Sequence, residues 1–295
     1  MTDRLVPMGS LRRFDSVGAF LAEAEDCLVA REAEHNLLLG IAGLLRDHPE
    51  VYPERPYLAV VRQGNGVVCV AIRTPPANLV LSEADRLDVV DPIADDLAAD
   101  SVDLPGVSGP KEVARHFAAV WANRTGCQPV VSMQERIYRL TQVIRSAAPP
   151  GHARMAEPRD SELIAAWMTA FHGESLPHER LPADVAAVVD RWIRGVGRRM
   201  YLWDVGDRVT SMVGVGSRTP HGARVGPVYT PPQERGRGYA SALTAAASQT
   251  ELDAGSQFCF LFTDLANPTS NHIYQAIGYQ PVSDFDMYRF VRQSG

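Results

Sequence analysis

A glycine-rich turn at residues 233–240, read Gln-Glu-Arg-Gly-Arg-Gly-Tyr-Ala, constrains the fold of this chain more than any other stretch. Pro231 and Pro232 come just before it and cannot donate to a sheet ladder, so they end a predicted strand at residues 224–230. The Ala- and Leu-rich run 239–252 has the composition of a helix. The turn therefore joins a strand to the N-terminus of a long helix.

The composition of this turn suits an anion. Gly236 and Gly238 lack the Cβ atoms that would block a ligand, and the N–H groups of a first helical turn have no partner inside the helix. The helix dipole and several hydrogen bonds to a charged group together favour a diphosphate at such a position. A turn that only begins the helix, without a ligand, is the alternative interpretation.

Spacing distinguishes between the known phosphate-binding turns. A Walker loop requires a lysine after its second glycine, and the only lysine of the chain is Lys111. A dinucleotide fingerprint requires Gly or Ala where Ser241 stands. The pattern Gln233-x-x-Gly-x-Gly-x-Ala240 instead resembles the pyrophosphate signature of the GNAT superfamily of acyl-CoA N-acyltransferases.

A second pattern follows further along the chain. Residues 258–262 form a continuous apolar, aromatic-rich run that is typical of a buried parallel strand. Asn267 suits an N-cap, Pro268 suits the first helical position, and Gly278 suits the end of the helix between them. The string from 267 to 279, Asn-Pro-Thr-Ser-Asn-His-Ile-Tyr-Gln-Ala-Ile-Gly-Tyr, resembles the second GNAT signature.

The resemblance implies an N-acetyltransferase that transfers the acetyl or another acyl group from acetyl-CoA directly to a primary amine in a ternary complex. Acyl-CoA would lie between splayed strands at residues 224–230 and 258–264, with its pyrophosphate on residues 235–240. The residues assigned in this way to acyl-CoA are Val228, Tyr229, Thr230, Gln233, Arg235, Gly236, Arg237, Gly238, Tyr239, Ala240, Asn267, Ser270 and Tyr274. The acceptor would be a small-molecule or peptide amine.

Amine acylation needs an unprotonated amine, a stabilised oxyanion and a proton for the departing thiolate. The resemblance assigns the oxyanion to backbone N–H groups at residues 228–230 and the proton to the phenol of Tyr274. A Tyr274 that only packs on the turn of Gly278 is the alternative.

The general base is sought in the segment that forms the acceptor wall in the family. The titratable side chains there are His172, Glu174, His178 and Glu179. Glu174 is our candidate, acting directly or through water, although each of these side chains also suits an exposed loop. Trp203, Tyr229 and residues 283–286 are candidates for shaping the acceptor pocket.

At 295 residues the chain is long enough for about two domains. Three prolines and a glycine at residues 146–158 indicate a boundary. Short strings recur in the same order in both halves: Tyr57-Leu58 and Tyr201-Leu202, Arg-Thr-Pro at 73–75 and 218–220, and Ile-Tyr-Arg-Leu at 137–140 against Met-Tyr-Arg-Phe at 287–290. We therefore predict an α/β fold of two tandem GNAT-like domains, residues 1–148 and 149–295, each a mixed twisted sheet flanked by helices.

Only the second domain is predicted to bind acyl-CoA. In the first half, residues 104–111 align with the glycine turn and lack its signature. Residues 130–133 and 136–143 are predicted as two short strands, so that no counterpart of the Asn267 helix is expected. The acidic stretch 83–103 is predicted to be a solvated helix face and loop. The N-terminal domain is thus a GNAT-like domain that has lost its cofactor site.

Composition excludes several other classes. A chain with 45% hydrophobic and 22% charged residues is typical of a globular protein, and a net charge of -6 without a basic stripe argues against nucleic acid. Residues 1–4 lead into no apolar signal core and the longest apolar run, 37–45, is too short to span a bilayer, so we expect no membrane partner and a cytoplasmic protein. The cysteines, Cys27, Cys69, Cys127 and Cys259, are widely spaced, and no metal site is expected.

Two other classes compete with an acyltransferase. A non-catalytic acyl-CoA sensor or scaffold would carry the same signatures if the base were missing. A dinucleotide-dependent enzyme is disfavoured by Ser241 and by the second signature. The sequence names neither the acceptor amine nor the oligomeric state.

Overall fold

The computed structural model describes residues 9–144, 147–179 and 181–292. Residues 1–4 and Ser146, the first residue of the predicted boundary segment, lie outside the described residues. The chain forms two compact units, defined here as the N-terminal unit (residues up to Arg136 together with those from Ser283) and the C-terminal unit (Ile137–Val282). The division into functional domains at residues 148 and 149 stays a prediction.

The N-terminal unit is a sheet with helices packed on it. Its elements are β1 (Ser10–Arg13), α1 (Val17–Val29), α2 (Asn36–Asp47), β2 (Tyr57–Gln63), β3 (Gly66–Arg73), β4 (Leu79–Leu81), α3 (Asp91–Ala99), β5 (Gly106–Pro110), α4 (Lys111–Thr125) and most of β6 (Gln128–Leu140). β1 to β4 pair in antiparallel order, whereas β4 and β5 are parallel. Residues 58–61 of β2 are all buried, so both faces of this sheet are covered.

The C-terminal unit is built in the same way. Its elements are the end of β6, β7 (His152–Met155), α5 (Ser161–Ser175), α6 (Val185–Ile193), β8 (Arg198–Val205), β9 (Arg208–Gly216), β10 (Gly222–Tyr229), α7 (Tyr239–Asp253), β11 (Phe258–Asp264) and α8 (Pro268–Ile277). Strand β12 (Gln280–Val291) starts in this unit and continues into the N-terminal unit. One core packs the sheet against α7 and α8, and another packs it against α5 and α6.

The duplication is visible in the order of the elements. Each half of the chain runs strand, two helices, three strands, helix, strand, helix, strand, apart from short 3-10 turns. The repeated strings fall on matching elements, since Tyr57 begins β2 and Tyr201 lies in β8, while residues 137–140 end β6 and residues 287–290 lie in β12. The prediction of an α/β fold with two similarly built halves is confirmed, although hydrogen bonds join the strands of both halves into a single mixed sheet.

The prediction of two short strands at residues 130–133 and 136–143 was wrong, because β6 is a single strand from Gln128 to Leu140. Its polar side chains do not interrupt it, since they bond to β12. Gln134 donates to Asp286 at 3.3 Å, and Arg136 donates to Asp284 at 2.7 Å. These cross-strand bonds allow a polar stretch to continue inside the sheet.

The alignment of the two halves around the glycine turn was also wrong. Residues 106–110 form strand β5, and α4 is the counterpart of α8. By element order, the segment that matches the glycine turn is residues 82–90, between β4 and α3. In the N-terminal half, the signature of the glycine turn is therefore replaced by this acidic segment and not by the proline-containing residues 104–111.

We predict that residues 149–295 alone do not fold, because each unit includes a strand segment from the other half of the chain. That fragment lacks the end of β6, whose Tyr138 and Leu140 are buried in the C-terminal core, and it retains residues 285–289 without their partner strand β5. Residues 137–282, which form the whole C-terminal unit, are the matched control. Circular dichroism and thermal melting should show more native structure in 137–282, and a cooperatively folded 149–295 would contradict the prediction.

Candidate functional site

The glycine turn has a backbone that favours glycine and an open side. Gly236 and Gly238 have φ angles of +76° and +80°, and Gly238 is the N-cap of α7. A Cβ added at Gly236 would meet nothing within 4 Å, and one at Gly238 would meet only a ring carbon of Pro149, at 4.0 Å. Among the described residues no side chain caps α7. The N–H groups of its first turn therefore have no side-chain partner there, and the Cβ positions of both glycines lie beside open space.

Strands β10 and β11 part before they reach this turn. They pair in parallel from Gly222 with Phe258 to Arg224 with Phe260, and the pairing stops there although both strands continue. A bulge at residues 226–227 shifts the register of β10 against β9. Because a bulge bends and twists its strand, it turns the end of β10 away from β11. A wedge therefore opens between the two strand ends.

Helix α8 begins and ends where the sequence predicts. The side chain of Asn267 accepts from the Ser270 N–H at 3.0 Å, and Gly278 ends the helix with a φ of +114°. These contacts fix the axis of α8 next to β11. Tyr274 lies on its buried side.

The hydroxyl of Tyr274 differs from those of its buried neighbours. Tyr279 shares a hydrogen bond with Ser248 at 2.8 Å, and Tyr138 donates to Asn271 at 3.1 Å. Tyr274 is only 9% exposed, yet within the described chain its hydroxyl makes no hydrogen bond to a protein group. Burial raises the pKa of Tyr274 to about 12, so the phenol keeps its proton at neutral pH.

Comparisons with known proteins give the same fold. Residues 205–290 match the model of a family described as FR47-like protein. A Drosophila protein of known structure superposes with a TM-score of 0.69 at 14% identity, over 96% of this chain and 98% of its own. A tandem GNAT protein from the clavulanic acid biosynthesis pathway superposes with a TM-score of 0.59 at 15% identity, over 97% of this chain and 100% of its own.

The chain has a tandem GNAT fold. A GCN5-related N-acetyltransferase from Sphaerobacter thermophilus also superposes along 97% of both chains, with a TM-score of 0.57 at 15% identity. The curated proteins contain no match to the sequence. None of the described helices has the length and apolar composition needed to cross a bilayer. The described residues bring together no group of His, Cys, Asp or Glu side chains that would hold a metal ion.

The GNAT fold brings Glu174 to the glycine turn. Its carboxylate accepts from the Tyr229 hydroxyl at 3.2 Å and from the Arg235 guanidinium at 2.6 Å. Arg235 also donates to the Thr230 carbonyl at 2.9 Å, and Tyr229 packs against Trp167 with ring centroids 6.0 Å apart. The candidate base, the end of β10 and the turn thus form one connected cluster, in which the Arg235 side chain is held by protein groups.

The other base candidates differ from Glu174 in their environment. Burial raises the pKa of Glu179, whose side chain is half-buried after the end of α5. A carboxyl group with a raised pKa is a candidate acid or base, so Glu179, one of the four titratable side chains considered in the sequence, is a second candidate beside Glu174. Burial and the adjacent Glu174 carboxylate together raise the pKa of Tyr229.

The remaining residues assigned from sequence have simpler surroundings. Val228 and Tyr229 pair with β9, Tyr239 is the first residue of α7 and is buried in the core, and Gln233 is exposed. Tyr239 and Ala240 can therefore offer a ligand only their backbone N–H groups. Whether these residues bind acyl-CoA stays a prediction.

The additional acceptor-pocket candidates lie elsewhere. Trp203 is buried in the core with α7 and donates to the Pro150 carbonyl at 3.1 Å. Asp284 and Asp286 belong to the N-terminal unit, where they bond Arg136 and Gln134. A part for Trp203 in the acceptor pocket stays a prediction.

The corresponding position in the N-terminal unit is closed. A Cβ added at Gly109 on β5 would lie 3.3 Å from the Cβ of Leu81 on β4, so these parallel strands stay together. The Glu83 N–H in the matching loop donates to Nε2 of His35 at 3.0 Å. Burial lowers the pKa of His35, which keeps this ring neutral and able to accept. The C-terminal unit thus has an open turn and a wedge, whereas the N-terminal unit has a loop N–H bonded to an imidazole and two strands that stay together.

We expect Gly238→Ala to weaken acetyl-CoA binding about tenfold or more, because its methyl group enters the open side of the turn and displaces hydrogen bonds to the phosphates. The left-handed backbone adds a cost in stability of about 1–2 kcal/mol. Gly195→Ala is the matched control, since Gly195 has a φ of +81° and open space around its Cβ position. Calorimetric titration should show normal affinity for that control, and equal affinities in both variants would mean that the turn binds no phosphate.

Proposed function

We propose that this protein is an N-acetyltransferase that transfers an acetyl group, or another acyl group, from acetyl-CoA to a primary amine. The observation that carries the proposal is the wedge between β10 and β11, which leads to an open glycine turn at the N-terminus of a 15-residue helix. A diphosphate suits the N–H groups of that turn, and the wedge leaves room for the arm that carries the thioester. The described part of the N-terminal unit has neither feature.

The bound donor would supply a thioester carbonyl, which the amine attacks while the sulfur departs as a thiolate. The backbone N–H groups at residues 228–230 are assigned to the developing oxyanion. Tyr274 holds a proton and has no protein acceptor among the described residues, so its phenol is available to donate to the leaving sulfur. Glu174 is assigned to accept the proton of the amine, since a carboxylate has lone pairs beyond those used by Tyr229 and Arg235.

The direct test is a thiol-release assay. The purified chain is incubated with acetyl-CoA and a panel of small amines and peptides, and free CoA thiol is followed with a chromogenic disulfide. Amine-dependent thiol release together with mass spectrometry of an acetylated amine would support the proposal. Tight acetyl-CoA binding without thiol release over a broad panel would favour a sensor or scaffold instead.

Tyr274→Phe should lower the turnover rate by about 10² to 10⁴ while acetyl-CoA affinity changes little, because it removes only the proton donor. Tyr279→Phe is the matched control. The ring centroids of Tyr274 and Tyr279 are 6.1 Å apart, and this change removes a buried hydroxyl together with its hydrogen bond to Ser248. That control should lose about 1 kcal/mol of stability and keep its turnover. Unchanged turnover in Tyr274→Phe, with chemistry rate-limiting, would make Tyr274 structural.

The choice of base is tested by comparing Glu174→Gln with Glu179→Gln. Both changes remove a titratable carboxyl and keep a hydrogen-bonding side chain of the same size. The variant that lacks the true base should have a turnover rate lower by about 10² to 10⁴ at saturating donor, and its pH profile should lack the acid limb. Loss in Glu179→Gln alone would reassign the base.

A further inference from the structure

Helix α5 leaves most of its apolar side chains partly uncovered. Eight of its fifteen residues are apolar, yet in this helix, which is described in full, only Ile164 is buried. The matching helix of the N-terminal unit, α1, buries four apolar side chains, namely Phe20, Leu21, Ala24 and Leu28. Contiguous apolar surface that a fold leaves in water is typical of a site that binds a ligand. The C-terminal unit thus has such a surface where the N-terminal unit has core.

Two half-buried aromatic side chains of α5 lie in line with the candidate base. Trp167, Phe171 and Glu174 follow one another at intervals of four and three residues, so they share one face of the helix. At a rise of about 1.5 Å per residue, Phe171 lies about 4.5 Å from Glu174 along the helix axis, and Trp167 lies about 10 Å from it. This face of α5 therefore carries two rings that lead to one carboxylate.

Strand β10 contacts both ends of this face through Tyr229. The Tyr229 ring packs against Trp167 with centroids 6.0 Å apart, and its hydroxyl donates to Glu174 at 3.2 Å. Arg235 bonds Glu174 at 2.6 Å, so the charged groups lie at the carboxylate end. Aromatic walls with a few polar groups at one end are typical of sites for small molecules that have an apolar body.

The neighbouring helix α6 offers little to an acceptor with several ammonium groups. Asp184 already caps α6, and Asp190 accepts from the Ser161 hydroxyl at 2.6 Å. The Arg198 guanidinium lies 5.2 Å from the centre of the Trp192 ring and adds a positive charge there. A peptide would place its backbone N–H and C=O groups against the aromatic faces of α5, which replace none of their hydrogen bonds to water. An amine with a single charge and an apolar body fits better.

We infer that the acceptor is a primary arylalkylamine, whose ring binds to Trp167 and Phe171 while its nitrogen lies at Glu174. This inference rests on the proposed function and makes both aromatic residues specificity determinants. A chain of about two or three carbons between ring and nitrogen matches the axial separation of Phe171 and Glu174. The nitrogen bonds to the thioester carbonyl carbon as the C–S bond breaks, one ammonium proton goes to Glu174, and the thiolate takes its proton from Tyr274.

The experiment measures thiol release by the full chain with 2-phenylethylamine, ethylamine, a lysine-containing peptide and spermidine. We expect kcat/KM for 2-phenylethylamine to exceed each of the others about tenfold or more, because its ring gains from leaving water. In Trp167→Ala the ratio of kcat/KM for 2-phenylethylamine to that for ethylamine should fall about tenfold, mainly through KM. Trp192→Ala is the matched control, since Trp192 is half-buried against the same core and has Arg198 over its ring. That control should keep the wild-type ratio.

Equal kcat/KM values for the four amines, or an unchanged ratio in Trp167→Ala, would overturn the inference and leave the proposed function intact. A higher value for the peptide or for spermidine would do the same. The absence of thiol release with every amine would contradict the proposed function and this inference together. If Trp167→Ala does not fold, Phe171→Leu decides the question, because it removes the ring and keeps an apolar side chain. An unchanged ratio in Phe171→Leu would then count against the aromatic face.

Discussion

The parting of β10 from β11 is the constraint on which the rest of the site depends. The strands are tightly paired at their start, where a Cβ added to Gly222 would lie 3.0 Å from the Phe258 carbonyl oxygen. The bulge in β10 then ends this pairing, and the partly buried Gly226 carbonyl within the bulge accepts from the Arg198 guanidinium. The sheet thus loses a few ladder bonds without leaving that carbonyl unsatisfied, and gains a wedge that leads to the turn.

The two units show what happens when this constraint is absent. They have the same order of elements, yet Leu81 and Gly109 stay in contact in the N-terminal unit, where the C-terminal unit has its wedge. The loop that matches the glycine turn contains Glu83, Asp85 and Asp88, whose charges oppose a phosphate. Sheet geometry and charge therefore both distinguish the N-terminal unit from the C-terminal unit, which contains the candidate site.

Sequence reasoning succeeded where the determinants are local. The Asn267 cap, the Gly278 end of α8 and the start of α7 just after the glycine turn depend on a few neighbouring residues, so the sequence alone specifies them. It failed for β6, because the polar side chains of that strand find partners on β12 only after the chain has folded.

The side-chain pairs of the site that the sequence did not predict join residues that are far apart along the chain. Glu174 and Arg235 are 61 residues apart along the chain, and no periodicity connects them or relates Arg208 to Glu234. The signature predicted a turn whose backbone binds an anion. The side chains that form ion pairs with the charged residues of this turn come from other elements. Pattern reasoning therefore located the turn but not the network of arginines and glutamates around it.

The difference between the two units predicts one acyl-CoA site per chain, formed by the open turn of the C-terminal unit. Calorimetric titration of the full chain with acetyl-CoA tests it most directly, because the stoichiometry counts sites independently of any acceptor. We expect one molecule bound per chain. Two equivalent sites, or no binding at donor concentrations far above those that saturate ordinary acyltransferases, would contradict it.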